Sequence, residues 1–115
     1  MHGLLYNDVC MSERGDVGRG DIDAYAAVAA LFDAMSTPLR AALVHRLCAG
    51  EQTVGDLVEW TGRSQPLVSQ HLRILRTARL VSGERRGREV VYSLTDEHVA
   101  HVLLDAFQHT QENHP

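Results

Sequence analysis

The feature that most constrains this sequence is a pair of short helix patterns separated by only three residues. The first pattern covers residues 54–60 and follows Thr53, a residue type that suits a helix N-cap. The next three residues are Thr61-Gly62-Arg63, and Ser64 then offers a second N-cap before a helix pattern over residues 65–79. Two helices joined by a three- or four-residue turn with a glycine are typical of a helix-turn-helix. We therefore expect this stretch to form one.

Three further helix patterns surround this unit. The first and last of them carry more apolar side chains than a compact domain of this size can cover. We therefore expect these two helices to pair with a second copy of the chain across a two-fold axis, burying Phe32, Leu103 and Phe107. The expected starting points of the three helices are, in chain order, Asp21 or Asp23, Thr37-Pro38, and Thr95 or Asp96.

A strand pattern lies between the helix-turn-helix and the last helix. Val90, Tyr92 and Leu94 alternate along the chain with the period of a half-buried strand. Gly87 marks the turn of a short hairpin whose tip reads Arg85-Arg86-Gly87-Arg88. A helix-turn-helix followed by such a hairpin is a winged helix. The predicted fold is mainly α with a short β-hairpin (α+β), in the order α-α-α-α-β-β-α, dimerising through its first and last helices.

The length of 115 residues indicates one domain. Residues 1–20 are rich in Gly, Asp and Arg and are expected to form a mobile arm, which leaves residues 21–115 as the DNA-binding and dimerisation domain. No apolar run approaches the ~20 residues of a membrane helix, and the first residues lack the pattern of a secretory signal. We expect a cytoplasmic protein with no membrane partner.

The net charge of −4 conceals an uneven distribution. All eleven basic residues are arginines, and seven of them lie between positions 63 and 88. That stretch carries a charge of +6, whereas the rest of the chain carries −10. A basic island on an acidic body is a local electrostatic footprint for nucleic acid, so double-stranded operator DNA is the expected partner.

The two parts of a winged helix contact DNA differently. Early residues of the second helix of a helix-turn-helix reach base edges in the major groove. The candidates here are Ser64, Gln65, Ser69, Gln70 and Arg73. The hairpin tip suits phosphates or the minor groove, and its candidates are Arg85, Arg86 and Arg88. For a homodimer the operator should be an inverted repeat. His71, which lies among core leucines, is expected to be a packed histidine.

The last helix carries a stripe of imidazoles and carboxylates. At about 100° per residue the stripe spans about 80°; its members are His98, His101, Asp105, His109 and Glu112. His98 and His109 are ~16 Å apart along one helix, so they cannot bind one ion from the same chain. In an antiparallel pair of these helices, Asp96 and His98 face His109 and Glu112 of the partner subunit. Two nitrogen and two oxygen ligands fit tetrahedral zinc, at two equivalent sites per dimer.

Over about residues 25–112 the sequence resembles the ArsR/SmtB family of metal-responsive winged-helix repressors. The resemblance rests on the run SQPLVSQHLRILRTARLVSGERRGREVVYSL and on the spacing Asp96-x-His98-x10-His109-x2-Glu112, which is similar to the C-terminal zinc site of the family's zinc sensors. It implies a metal-free dimer that represses an efflux or storage operon and loses operator affinity when zinc binds. It also implies that His109 donates a hydrogen bond to the backbone carbonyl near Arg79, at the end of the second helix of the helix-turn-helix, which we call the reading helix.

The family's other common site uses a cysteine pair in the third helix. The corresponding stretch here reads Gln52-Thr53-Val54-Gly55-Asp56 and has no thiol. This argues against a thiolate sensor of arsenic, cadmium or lead.

Alternatives to a zinc-responsive repressor remain open. Nickel or cobalt tolerates six ligands, and His101, His114 or His2 could add nitrogens. A competing register joins His101, Asp105 and His109 within one helix. A small metal-storing or interaction protein that ignores DNA is a third class, which the arginine island disfavours. An enzyme is disfavoured further, because no Gly-rich phosphate loop or Ser-His-Asp set is present and a closed four-ligand site leaves no open position.

Overall fold

The computed structural model describes residues 20–112 of the chain. Apart from Gly20, the arm predicted over residues 1–20 lies outside the described residues, as do His2 and His114. A 3₁₀ turn comes first, and eight elements follow it. The bounds are Ile22–Tyr25 for the 3₁₀ turn, then α1 Ala26–Ala34, α2 Pro38–Leu47, β1 Gln52–Thr53, α3 Val54–Thr61, α4 Gln65–Thr77, β2 Val81–Arg86, β3 Glu89–Leu94 and α5 Glu97–Glu112.

This order confirms the predicted winged helix, mainly α with a short β-hairpin, and adds one strand. β1 pairs antiparallel with β3 through Gln52↔Tyr92 and Thr53↔Val91, so the sheet order is β1-β3-β2. The sequence interpretation missed β1 because a two-residue strand shows no alternation. The extra strand ties the start of the helix-turn-helix to the base of the wing.

The helices begin where short polar side chains accept hydrogen bonds from the first turn. Thr37 Oγ1 accepts from the Arg40 N–H at 3.2 Å, and Ser64 Oγ accepts from the Leu67 N–H at 3.3 Å. Thr53 and Asp56 form a reciprocal capping box at the start of α3. These three predicted caps are confirmed. Of the three, Ser64 stands at the end of the turn that separates α3 from α4.

Glycines make the two tight turns of the winged helix. Gly62 ends α3 with φ 71°, in the left-handed region that side chains disfavour. Gly87, with φ 65°, begins the two-residue turn of the wing, which the pair Arg86↔Glu89 closes. Both turns lie where the sequence places them.

Two helix boundaries differ from the prediction. The chain forms the 3₁₀ turn before α1, so the first α-helix starts at Ala26 and not at Asp21 or Asp23. α4 ends at Thr77, two residues earlier than expected.

The end of α4 has a specific geometry. Arg79 adopts φ 65°, and its N–H donates to the Arg76 carbonyl at 2.9 Å. The Leu80 N–H donates to the Leu75 carbonyl at 3.0 Å, which completes the hydrogen-bond pattern of a Schellman motif. Leu75 and Leu80 are both buried at this turn. Arg79 thus occupies a position that glycine usually fills.

The core lies between α2, α3, α4 and the sheet. Its largest fully buried side chains come from these helices and from the residue that leads into β2. They are Leu43, Val44, Leu57, Val68, Leu72, Leu75 and Leu80. This core sets the depth of α4 and leaves its opposite face exposed.

The first and last helices leave apolar side chains uncovered. Phe32 of α1 is 54% exposed and Phe107 of α5 is 45% exposed, although the ring of His45 lies 4.6 Å from that of Phe107. Phe32, Phe107 and Val102 line an open groove of about 300 Å³ between α1 and α5. Leu103 also borders the groove but is only 8% exposed, so it is chiefly part of the core of one chain and has little surface left for an interface.

Within residues 20–112, no single helix has both the length and the hydropathy of a membrane span. The segments Ile22–Ala34 and Pro38–Leu47 have that length and hydropathy only when taken together, and the chain bends by 93° between them.

Candidate nucleic-acid interface and candidate metal centre

The reading helix α4 separates its buried and exposed residues. Val68, Leu72 and Leu75 are completely buried, which fixes one face against the core. The predicted base-contacting residues lie on the other side or at the start of the helix. Ser64, Gln65, Gln70 and Arg73 are exposed, and Ser69 is half-buried. The structure therefore brings these residues to one accessible surface, as a helix in the major groove requires.

The wing places three arginines on an exposed hairpin, and these arginines differ in their ion pairs. Arg85 and Arg88 form no ion pair within residues 20–112. The guanidinium of Arg86 donates to Glu51 and to Glu84, and its Nη2 lies 2.9 Å from Glu84 Oε1. Hydrogen bonds to Glu51 first and Glu84 second raise the pKa of Arg86. Arg86 therefore carries a compensated charge, whereas its two neighbours do not.

The Arg86–Glu51 contact was not predictable from sequence. The two residues are 35 positions apart, and no local pattern links them. Glu51 precedes β1, so this contact joins the wing to the start of the helix-turn-helix.

The predicted metal ligands all lie on the exposed side of the last helix or just before it. Asp96, His98, His109 and Glu112 are exposed, as are His101 and Asp105. Asp96 Oδ1 accepts a hydrogen bond from the Val99 N–H at 3.2 Å and so caps α5. Glu112 Oε2 accepts from Gln108 Nε2 at 2.9 Å. Both carboxylates are thus accessible and have local hydrogen bonds.

No metal-binding group of three or more His, Cys, Asp or Glu side chains forms within the described part of one chain. This applies to the one-helix set His101, Asp105 and His109 as well as to the four-ligand set. The residues expected for a site shared between two chains are two imidazoles and two carboxylates, and these donors suit zinc. Such a site needs the second copy to complete it.

The end of the reading helix is joined to the start of α5 by two hydrogen bonds. The Thr95 hydroxyl donates to the Arg79 carbonyl at 2.8 Å, and the Thr95 N–H donates to the Leu80 carbonyl at 3.0 Å. The Arg79 carbonyl is the expected acceptor of His109, and its second lone pair leaves it able to accept a further bond. Thr95 itself was not foreseen as part of this junction.

These features define a class, the winged-helix regulators. The sequence profile described as "Bacterial regulatory protein, arsR family" matches residues 37–82 of the chain. The HTH-type transcriptional repressor SmtB of Mycobacterium tuberculosis (strain H37Rv) is 47% identical over 87 residues, which cover 76% of this chain and 64% of that protein. The chain thus spans less than two thirds of the length of this relative.

A second relative is covered more fully. The HTH-type transcriptional regulator NmtR of the same organism is 44% identical over 94 residues, which cover 82% of this chain and 78% of the relative. The chain therefore belongs to the ArsR/SmtB family, a family of transcriptional regulators and not of enzymes.

A solved structure supports the fold. The chain is similar to the solution structure of the homodimeric winged helix-turn-helix DNA-binding domain Mb0332 from Mycobacterium bovis, with a TM-score of 0.76 and 24% identity. The match covers 86% of this chain and 94% of that one. At this identity the likeness concerns the fold alone.

Proposed function

We propose that this chain is a homodimeric transcriptional repressor that binds operator DNA without metal and is released when zinc binds between two α5 helices. One observation carries the proposal. α5 combines an uncovered apolar face with exposed imidazoles and carboxylates near both of its ends. Pairing of two such helices covers the first feature and joins the second into a ligand set.

A second copy is the proposed occupant of the apolar face. Phe32, Phe107 and Val102 form a contiguous apolar surface across α1 and α5. Contiguous apolar surfaces on soluble proteins mark interaction sites. A two-fold axis at this surface would let the same patch cover itself.

On DNA, the two exposed regions have separate tasks. α4 enters the major groove, where Gln65, Gln70 and Arg73 contact base edges and the hydroxyls of Ser64 and Ser69 assist. The wing contacts phosphates or the minor groove through Arg85 and Arg88, and Arg86 contributes less because Glu51 and Glu84 compensate its charge. The operator is an inverted repeat with half-sites about one helical turn, or a multiple of it, apart.

Zinc would be held by Asp96 and His98 of one protomer and by His109 and Glu112 of its partner. A metal bound by these residues would link the two α5 helices and hold them in one relative orientation. Nickel or cobalt is the second candidate, favoured by the exposure of His101 on the same stripe, because these ions accept more than four ligands.

The response to metal requires that the metal-bound dimer differ from the DNA-bound one. A ligand shifts an equilibrium only through different affinities for its two states, and DNA must weaken metal binding by the same factor. We place the junction at Arg79, which lies two residues after the end of the reading helix and whose carbonyl already accepts a hydrogen bond from the Thr95 hydroxyl. Thr95 precedes the proposed ligand Asp96, and His109 is proposed to donate to the same carbonyl.

The test measures binding of the purified full chain to duplex DNA from its own promoter while zinc, nickel or cobalt is added. We expect zinc to cause the largest loss of affinity. His98→Ala and His109→Ala should abolish the response and leave metal-free binding near normal. His101→Ala is the matched control on the same stripe and should retain the zinc response.

Two outcomes would redirect the proposal. Loss of zinc binding in His101→Ala, with Asp96→Ala unaffected, would contradict the shared site and favour the one-helix register. A metal-free chain that shows no salt-dependent binding to the promoter would contradict the repressor function itself.

A further inference from the structure

A half-buried arginine in α2 contacts two other helices at once. Arg40 Nε donates to the Ala34 carbonyl at 2.6 Å, at the last residue of α1. Arg40 Nη1 lies 3.1 Å from His71 Nδ1, in the middle of α4. A single guanidinium thus bridges the helix proposed for dimerisation and the helix proposed to read DNA.

The chemistry of this bridge assigns the state of His71. Arginine only donates hydrogen bonds, so His71 Nδ1 must accept and the ring proton must lie on Nε2. Burial, and then the charge of Arg40, lower the pKa of His71, which supports a neutral ring. His71 is therefore more than the packed histidine that the sequence suggests.

The location of His71 gives the bridge a consequence for recognition. His71 directly follows Gln70 and lies two residues before Arg73, so it shares a turn of α4 with two proposed base-contacting residues. Apolar contacts of Leu72 and Leu75 hold the helix against the core but are not directional. A hydrogen bond depends on angle as well as distance and so restricts rotation of the helix about its axis.

We propose that Arg40 is a positioning residue that orients the reading helix relative to the dimerisation helix through a hydrogen bond to neutral His71. The proposal rests on the DNA binding proposed above. In a dimer, the bridge to α1 would fix the orientation of each reading helix relative to the two-fold axis. Loss of the bridge would therefore disturb the fit of both reading helices to their half-sites. Binding to random DNA depends on charge and not on this orientation.

Matched variants separate this role from simple stability. His71→Leu removes the acceptor and retains bulk, whereas His71→Asn retains an acceptor near the position of Nδ1. Arg40→Met removes the donor and retains the aliphatic stem. Arg46→Met is the control, since Arg46 is another half-buried arginine of α2 but lies over the Trp60 ring at 5.3 Å.

The experiment measures affinity of the full chain for the promoter duplex and for a random duplex of equal length, together with thermal unfolding and sedimentation. His71→Leu and Arg40→Met should each lose about tenfold in promoter affinity, with a change of about twofold or less on the random duplex. The double variant should lose no more than either single variant. His71→Asn and Arg46→Met should retain the preference of the unchanged chain for the promoter.

Several results would overturn the proposal. One is promoter binding by His71→Leu equal to that of the unchanged chain, and another is equal loss in His71→Asn and His71→Leu. Equal losses on promoter and random duplexes would indicate a structural role only. Nitrogen NMR of the His71 ring tests the bridge without DNA, because it must report the Nε2-protonated neutral form. If the unchanged chain shows no promoter preference although the Nε2-protonated ring is present, both the proposed DNA recognition and the positioning role fail. If the chain prefers the promoter but the ring is not in the Nε2-protonated neutral form, only the positioning role fails.

Discussion

The two halves of this molecule differ in how completely one chain buries them. The helix-turn-helix half, α2 to α4 with the sheet, contains all seven of the largest fully buried side chains. The other half, α1 and α5, contributes only Ala34, Val99 and Leu103 to the buried core. It leaves Phe32 and Phe107 about half exposed. The difference indicates that the helix-turn-helix half is complete in one chain, whereas α1 and α5, the proposed dimerisation helices, leave an apolar face for a partner.

The largest effect is expected from a cavity in the self-contained half. Leu57→Ala removes a side chain with no exposed surface and should lower the free energy of unfolding by about 2–5 kcal/mol. This loss should persist on dilution, because Leu57 packs within one chain. Phe107→Ala should instead lower the free energy of unfolding at protein concentrations where the unchanged chain is dimeric. It should have little effect at concentrations where the variant and the unchanged chain are both monomeric. Urea unfolding over a range of protein concentrations measures both, and the same concentration dependence for the two variants would contradict the comparison.

A charge on the half formed by α1 and α5 should break the dimer without unfolding the chain. Phe107→Glu places a carboxylate in the apolar face and should raise the dimer dissociation constant by at least about tenfold. Trp60→Glu is the matched control, since Trp60 is 44% exposed on α3, outside this face. Sedimentation velocity measures the outcome. A Phe107→Glu protein that remains dimeric at micromolar concentration would place the interface elsewhere.

Within the helix-turn-helix half, the proposed base contacts and phosphate contacts should separate. Arg73→Ala should lower the affinity for the operator by about 1–3 kcal/mol and relax base preference, if Arg73 makes a bidentate contact. Arg88→Ala should weaken binding to every sequence and reduce the salt slope by about 1. Arg86→Ala should reduce that slope less than Arg88→Ala does, because Glu51 and Glu84 already compensate Arg86.

Salt titrations of all three variants on operator and random duplexes measure this division. Equal effects of Arg73→Ala and Arg88→Ala on both duplexes would refute it. A larger slope change for Arg86→Ala than for Arg88→Ala would show that DNA displaces the two glutamates.

The smallest effect concerns pH at the contact that joins the two halves. Burial, and then Arg40, lower the pKa of His71 in the folded chain, so the unfolded chain binds more protons as pH falls. The stability from neutral His71 is present above the ordinary histidine pKa of about 6.5 and is lost as pH falls through the lowered value. Unfolding of the chain and of His71→Asn, compared above and below this range, should show the smaller acid loss in the variant. An identical pH dependence would mean that His71 does not titrate with folding.

The parts of the fold that the sequence predicts are those set by neighbours a few residues apart. The caps at Thr37, Thr53 and Ser64 act over three residues, and Gly62 and Gly87 determine their own turns. The alternation of Val90, Tyr92 and Leu94 along the chain predicts a strand of the wing. In the candidate sites, the exposed positions of α4, the wing tip and α5 followed from helical and strand periodicity, which assigns each residue to a face.

Other features depended on contacts between distant segments. The strand β1 exists because β3 offers a free edge, and α4 ends early because Arg79 takes a left-handed conformation that burial of Leu80 stabilises. The charge of Arg86 is compensated by the nearby Glu84 and also by Glu51, which is 35 residues away, and the state of His71 depended on an arginine 31 residues away.

The sequence by itself thus determined the kind of elements, their order and the faces that carry arginine, histidine and carboxylate groups. Only the tertiary structure decided which arginines keep an uncompensated charge and which are held by other side chains. The reason is physical. Periodicity and capping are local properties of the backbone, whereas hydrogen bonds of a guanidinium to distant groups exist only after the core has brought separate helices together.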